Sequence, residues 1–168
     1  MLDPWYVTGF SDGEAAFTYS RAGGSFGIYF SIKQREDNRQ IVEELHKFVD
    51  GTGYIYRGKE SNGAPKSGFS KPYAYFRVTK ISELQRIVEH FDKYPLQSKK
   101  KHEAYLAWRE MVIYKKDNYR KIEYNQLSEL AGKLSMLNSQ SRAFSRPAIK
   151  AGGIPPEAGT IHKRKWVK

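Results

Sequence analysis

Apolar residues recur along this chain at two different periods, and the switches between them mark its elements. From Trp5 to Phe10 they crowd behind Asp3 and Pro4, which suit an N-cap and a first helical position, so a short helix is predicted to end near Gly13. Residues 17–22 and 26–34 then alternate, most clearly with Ile28, Phe30 and Ile32 against Tyr29, Ser31 and Lys33; they predict two strands around a turn at Gly23-Gly24. Helical spacing returns from about Asp37, with Ile41, Val42, Leu45, Phe48 and Val49. Residues 53–60 and 72–79 predict a second hairpin around a loop rich in Gly, Ser, Asn and Pro. Ser82-Glu83-Leu84-Gln85 has the spacing of a capping box and opens a helix with Leu84, Ile87, Val88 and Phe91 inward. Two more helices are expected at roughly 99–116 and 125–138, the first with Tyr105, Trp108, Met111 and Val112 as core, the second with a Leu127, Leu130, Leu134, Leu137 stripe.

This order, αββαββα with further helices, is an α+β arrangement with one four-stranded antiparallel sheet backed by helices. A composition shift after Ser145 divides the chain into a domain at 1–145 and a basic, Pro/Gly-rich tail at 146–168. If helices cover one sheet face, the other carries Thr18, Ser20, Tyr29, Ser31, Lys33, Tyr54, Tyr56, Tyr73, Tyr75, Arg77 and Thr79. A surface of Tyr, Ser, Thr, Lys and Arg suits the edges of base pairs, and a β-ribbon fits the major groove.

Charge strengthens that reading. Lys and Arg outnumber Asp and Glu by 29 to 18, a formal net charge of +11 that attracts polyanions. The absence of Cys excludes disulfides, thiolate zinc sites and thiol nucleophiles. The N-terminus carries acids where a signal peptide needs positive charge, and no apolar run approaches the roughly 20 residues of a membrane span, so a soluble protein without a membrane partner is expected. His46, His90, His102 and His162 are scattered singly and read as surface residues rather than metal ligands.

The chemistry is concentrated in Trp5-Tyr6-Val7-Thr8-Gly9-Phe10-Ser11-Asp12-Gly13-Glu14-Ala15-Ala16-Phe17. Gly9 and Gly13 stand one helical turn apart, where the missing Cβ atoms let two backbones approach closely. Two acids flank Gly13 at the helix end. The stretch resembles the signature helix of the LAGLIDADG homing endonucleases, in its W-Y-x-x-G-F-x-D-G-E-G-S-F variant, and departs from it at Ala15 and Ala16. A left-handed backbone at position 15 would strain Ala15.

The resemblance implies a helix that packs against its twin through Gly9, Phe10 and Gly13, with Glu14 and the Gly13 carbonyl holding a divalent cation near the scissile phosphates. By position Asp12 is the motif's other, structural acid. Downstream, Gln34 matches a polar strand-end residue that orders active-site water. The Tyr94-Pro95-Leu96-Gln97-Ser98-Lys99-Lys100-Lys101 stretch resembles a family segment whose lysine stabilises charge at the phosphate, assigned here to Lys99 or Lys100. One motif supplies one acid, so the resemblance implies a homodimer with an isologous interface. Such a dimer would use Mg²⁺ to make a staggered double-strand break with 3′ overhangs in a long pseudo-palindromic DNA site. Strands of about nine residues at ~3.3 Å each would read roughly nine base pairs per subunit. The alternatives on the same fold are a maturase that binds intron RNA and a catalytically weak DNA-binding protein. An organellar intron is the expected home.

Overall fold

The computed structural model describes residues 1–22, 25–59, 61–62 and 69–138. The expected tail at 146–168, the turn at Gly23-Gly24 and His162 lie outside the described residues.

Helix α1 (Pro4–Glu14) starts as its sequence dictates: the Asp3 carboxylate accepts from Trp5 N at 2.8 Å and Tyr6 N at 3.2 Å, and Pro4 occupies the position that needs no donor. It runs one residue past the expected end and passes directly into strand β1 (Ala15–Ala22), because Ala15 is already extended at φ −77°, ψ 146°. That backbone is comfortable for alanine, so the left-handed strain considered for this position does not arise. Strand β2 (Ser25–Arg35) returns antiparallel, with Ala15 opposite Ile32 and Phe17 opposite Phe30.

A short 3-10 turn at Glu36–Asn38 intervenes before α2 (Arg39–Phe48), which therefore begins slightly later than the periodicity suggested. The second hairpin is built from β3 (Tyr54–Gly58) and β6 (Tyr73–Val78), and the connection between them carries its own two-residue ribbon, β4 (Ser61–Asn62) with β5 (Phe69–Ser70). The four long strands form one antiparallel sheet in the order β1-β2-β6-β3.

Helix α3 (Ile81–Lys93) does not use the capping box read at Ser82. Its N-cap is Lys80, with Ser82 already inside the first turn; Ile81 packs against the core, and Glu83 instead meets Lys80 Nζ at 3.0 Å. Helices α4 (Lys99–Asp117) and α5 (Tyr124–Leu137) complete the layer. Core side chains from both sides meet between sheet and helices: Phe17, Phe30, Ile32 and Phe76 against Leu84, Phe91, Tyr105 and Trp108. Trp108 is fully buried and donates its indole N–H to the Tyr29 carbonyl at 3.0 Å, which ties α4 to β2.

The described histidines are not surface residues. His46 packs on Phe76 and His90 on Phe48 and Phe91, and all three described histidines are half-buried. The Thr8 hydroxyl donates to the Tyr94 carbonyl at 2.9 Å, so at 3.3 Å from His90 Nε2 it must accept, which makes that nitrogen the N–H of a neutral ring. Burial pushes the His90 pKa down to about 4, in keeping with a neutral imidazole. No helix among the described residues is long and apolar enough to cross a membrane.

Candidate active site and nucleic-acid interface

The two acids at the end of α1 have separate environments. Asp12 accepts from the backbone N–H of Gln97 at 2.8 Å and of Ser98 at 3.2 Å, so its carboxylate is spent on the chain entering α4. Glu14 is exposed and makes no hydrogen bond or salt bridge among the described residues. It therefore keeps both oxygens for a ligand. No group of three or more His, Asp or Glu among the described residues could enclose a metal ion.

The cation that approaches Glu14 is Lys101. Its ammonium donates to the Ala15 carbonyl at 2.7 Å. Burial lowers its pKa below the ordinary lysine range, and the charges of Asp12 and Glu14 offset part of that shift. Lys99 and Lys100 are exposed in the first turn of α4. The signal that distinguishes the three was present in the sequence. Extended backwards, the buried stripe of Ala104, Tyr105, Trp108 and Met111 reaches Lys101 and passes over its two neighbours.

Gln34 lies opposite Ala74, on the helix-facing side of β2 with Ile32 and Phe30. Lys33 takes the open side, and it lines, with Glu14, Lys101, Tyr29, Ser31 and Tyr75, a cavity of about 370 Å³ beside the end of α1.

Helix α1 has one face in the core, through Val7, Thr8 and Ser11, and one without a partner among the described residues. Gly9 and Gly13 are exposed, and a Cβ built on either meets nothing within 4 Å. Trp5 and Tyr6 remain 52% and 49% exposed, and Tyr6 stacks on the half-buried Phe10 with ring centroids 6.2 Å apart. Neither glycine is required by packing inside the described chain.

On the open sheet face, Tyr54 and Tyr56 are exposed, while Tyr29, Tyr73, Tyr75, Arg77 and Ser20 are half-buried. Thr79 lies just beyond β6. Two expected contact residues differ: Thr18 and Ser31 are only 7% and 4% exposed. They line the cavity together with Tyr29, Lys33 and Tyr75 and are buried there. Two cations are laid on aromatic faces here, Lys33 Nζ at 3.7 Å from the Tyr73 ring centre and the Arg77 guanidinium at 3.9 Å from that of Tyr29. Burial, and next the neighbouring Tyr75, raise the Tyr29 phenol above its ordinary pKa, with Arg77 opposing.

Set against known proteins, residues 7–112 match a family profile described as LAGLIDADG endonuclease. The chain is 28% identical over 122 residues to "Probable intron-encoded endonuclease 2" of Neurospora crassa, covering 68% of this chain and 23% of that protein. To "Probable intron-encoded endonuclease Cox1-I1b" of Schizosaccharomyces pombe it is 23% identical over 129 residues, covering 74% and 31%. It thus spans a quarter to a third of the length of these curated relatives. Among solved structures, the LAGLIDADG meganuclease I-AabMI bound to uncleaved DNA is similar at TM-score 0.65 and 25% identity, over 79% of this chain and 45% of that one. The homing endonuclease I-TnaI is similar at TM-score 0.64 and 24% identity, over 82% of this chain and 95% of that one.

Proposed function

This chain belongs to the LAGLIDADG endonuclease family, and from that premise we propose that it is a site-specific DNA endonuclease acting as a homodimer joined through α1. The observation that carries the proposal is the placement of Glu14. It stands free at the end of a helix face, marked by Gly9 and Gly13, that nothing in the described chain covers. Pairing that face with a second copy would bring two Glu14 carboxylates together at the centre of a continuous, cationic sheet surface.

The donor set fits Mg²⁺ in this shared form. A hard cation that retains several waters needs few carboxylates from the protein, and Glu14 with the Gly13 carbonyl offers oxygen ligands only. Bound there, the ion would supply Lewis-acid activation of water and neutralise charge on the leaving oxygen. The chain's own residues would do the rest. Lys101, anchored on the Ala15 carbonyl, holds positive charge beside the scissile phosphate, and Lys33 adds a second cation from the sheet. Asp12 fixes the entry to α4 and with it the position of Lys101. In this reading Lys101 takes the charge-stabilising role that the resemblance gave to Lys99 or Lys100, and Lys33 is a further cation beside it.

Recognition would run along the open face of β1, β2, β6 and β3 in the major groove, led by Tyr54, Tyr56, Tyr73, Tyr75 and Arg77. The intron-encoded relatives support an organellar intron as its source. The test is incubation with duplex DNA carrying the uninterrupted insertion site, with Mg²⁺ or with a chelator. The expected result is a staggered double-strand break with 3′ overhangs in Mg²⁺ alone. Intact DNA in Mg²⁺, with binding retained, would contradict the nuclease reading.

A further inference from the structure

Arg77 is held differently from most of the described arginines. Arg35, Arg39, Arg57, Arg86 and Arg109 all meet a carboxylate, from Asp37, Glu36, Glu36, Asp50 and Asp92 respectively. Arg77 meets none among the described residues. Its guanidinium lies 3.9 Å from the centre of the Tyr29 ring, and its buried Nε has no hydrogen-bond partner. Contact with a ring face occupies the flat side of a guanidinium and leaves its in-plane N–H donors free. The strand that carries the ring is anchored from behind, because Trp108 donates to the Tyr29 backbone carbonyl from the helix layer at 3.0 Å.

Position adds to this. Arg77 is on β6, an inner strand, opposite Ser31 on one side and Tyr54 on the other. Ser31 in turn pairs with Ala16, two residues after Glu14. Arg77 therefore lies about 7 Å along the strands from the acid, in the interior of the face, where a groove floor rather than a flanking phosphate would sit. A rigid planar fork of donors in the major groove matches the O6 and N7 acceptors of guanine.

We propose that Tyr29 is a positioning residue for sequence recognition, holding the Arg77 guanidinium so that it reads one guanine in the inner part of each half-site. The inference rests on the DNA-recognition reading given above and adds to it a base identity and a residue that sets it. Arg77 makes the base contact; Tyr29 acts only through Arg77. Lys33 lies on the Tyr73 ring in a similar way, with a point charge in place of a planar fork.

The experiment selects bound duplexes from a randomised pool without Mg²⁺, using the full chain and its variants, and reads base preference at every position. Wild type should select a symmetric guanine by roughly 5- to 150-fold over other bases. Arg77→Ala should erase that preference at that position alone. Tyr29→Leu should erase it too, with other positions unchanged, while Tyr29→Phe, which keeps the ring, should retain it. Arg77→Gln, whose amide matches adenine instead, should lose the guanine preference, a result that holds even if Tyr29→Leu fails to fold. Guanine preference surviving Tyr29→Leu or Arg77→Gln would overturn the proposal. So would an equal loss of affinity for all sequences in Arg77→Ala, which would make Arg77 a phosphate contact. If wild type selects no sequence at any position, the DNA-recognition reading itself fails, a result distinct from either of those.

Discussion

Gly9→Leu separates the folding of the chain from its assembly. The space around Gly9 is open in the described chain, with nothing within 4 Å of an added Cβ, so leucine meets no clash there. Leucine is also the better helix former, by roughly 0.8 kcal/mol at an interior helical site. For a domain of this size such a gain raises the melting temperature of the monomer by about 2–4 °C. Assembly should respond in the opposite sense. Gly9 is one turn from Gly13 on the exposed face of α1, and a branched side chain in a seam built for close backbone approach costs about 1–3 kcal/mol through overpacking. A symmetric dimer contains the substitution twice, so association should weaken by about 2–6 kcal/mol, or roughly 30-fold to more than 10⁴-fold. Sedimentation velocity over a dilution series, with thermal melts on the same samples, measures both quantities. The expected variant is a stable monomer at concentrations where wild type is dimeric. A Gly9→Leu protein that still dimerises with wild-type affinity, or one that melts well below wild type at dilutions where both are monomeric, would refute the reasoning.

Other consequences follow from individual side chains. Lys101→Met should leave DNA affinity within a few-fold of wild type and slow cleavage by roughly 10²–10³, the loss typical of one charge-stabilising donor; unchanged cleavage would remove Lys101 from the site. Burial lowers the Lys101 pKa, so its charge is lost at a lower pH than for a free lysine. Cleavage should therefore decline on the alkaline side before 10.5, and Lys101→Arg should flatten that limb of the pH profile. His90 gives an acid-side effect on stability. Its pKa falls from 6.5 to about 4 on folding, so between those values the unfolded chain binds more protons than the folded one. Denaturant midpoints should be flat above that window, fall as pH drops through it, and lose most of this dependence in His90→Gln; an unchanged slope in the variant would show that His90 is not its source.

Local order was legible in the residues wherever it depended on neighbours in sequence. The Asp3-Pro4 start of α1, the alternation of Ile28, Phe30 and Ile32, and the Leu127–Leu137 stripe of α5 each appear as read. What depended on tertiary neighbours was not. Thr18 and Ser31 have the right parity for the open face, but they are buried in the cavity that they line with Tyr29, Lys33 and Tyr75. His46 and His90 look solitary in sequence and become half-buried because rings from distant segments surround them. Ser82 has a capping-box neighbour at the right spacing, yet α3 starts at Ile81, where an apolar side chain can join the core. At the proposed site, the motif points to Glu14 directly, whereas the proposal of Lys101 over Lys99 and Lys100 rests on the helical phase of α4.

The central claim is that Glu14 carries the metal-dependent chemistry of DNA cleavage, and Glu14→Gln tests it most directly. The side chain is exposed, so the substitution preserves size, removes the charge and breaks no hydrogen bond or salt bridge among the described residues. Binding and cleavage of one duplex site should be measured side by side in Mg²⁺. The account predicts affinity equal to wild type or slightly tighter, since a carboxylate beside phosphates is lost, together with a fall in cleavage of several orders of magnitude. Glu14→Asp should retain part of the activity. Glu14→Gln cutting at a near wild-type rate would place the metal ligand elsewhere and contradict the account.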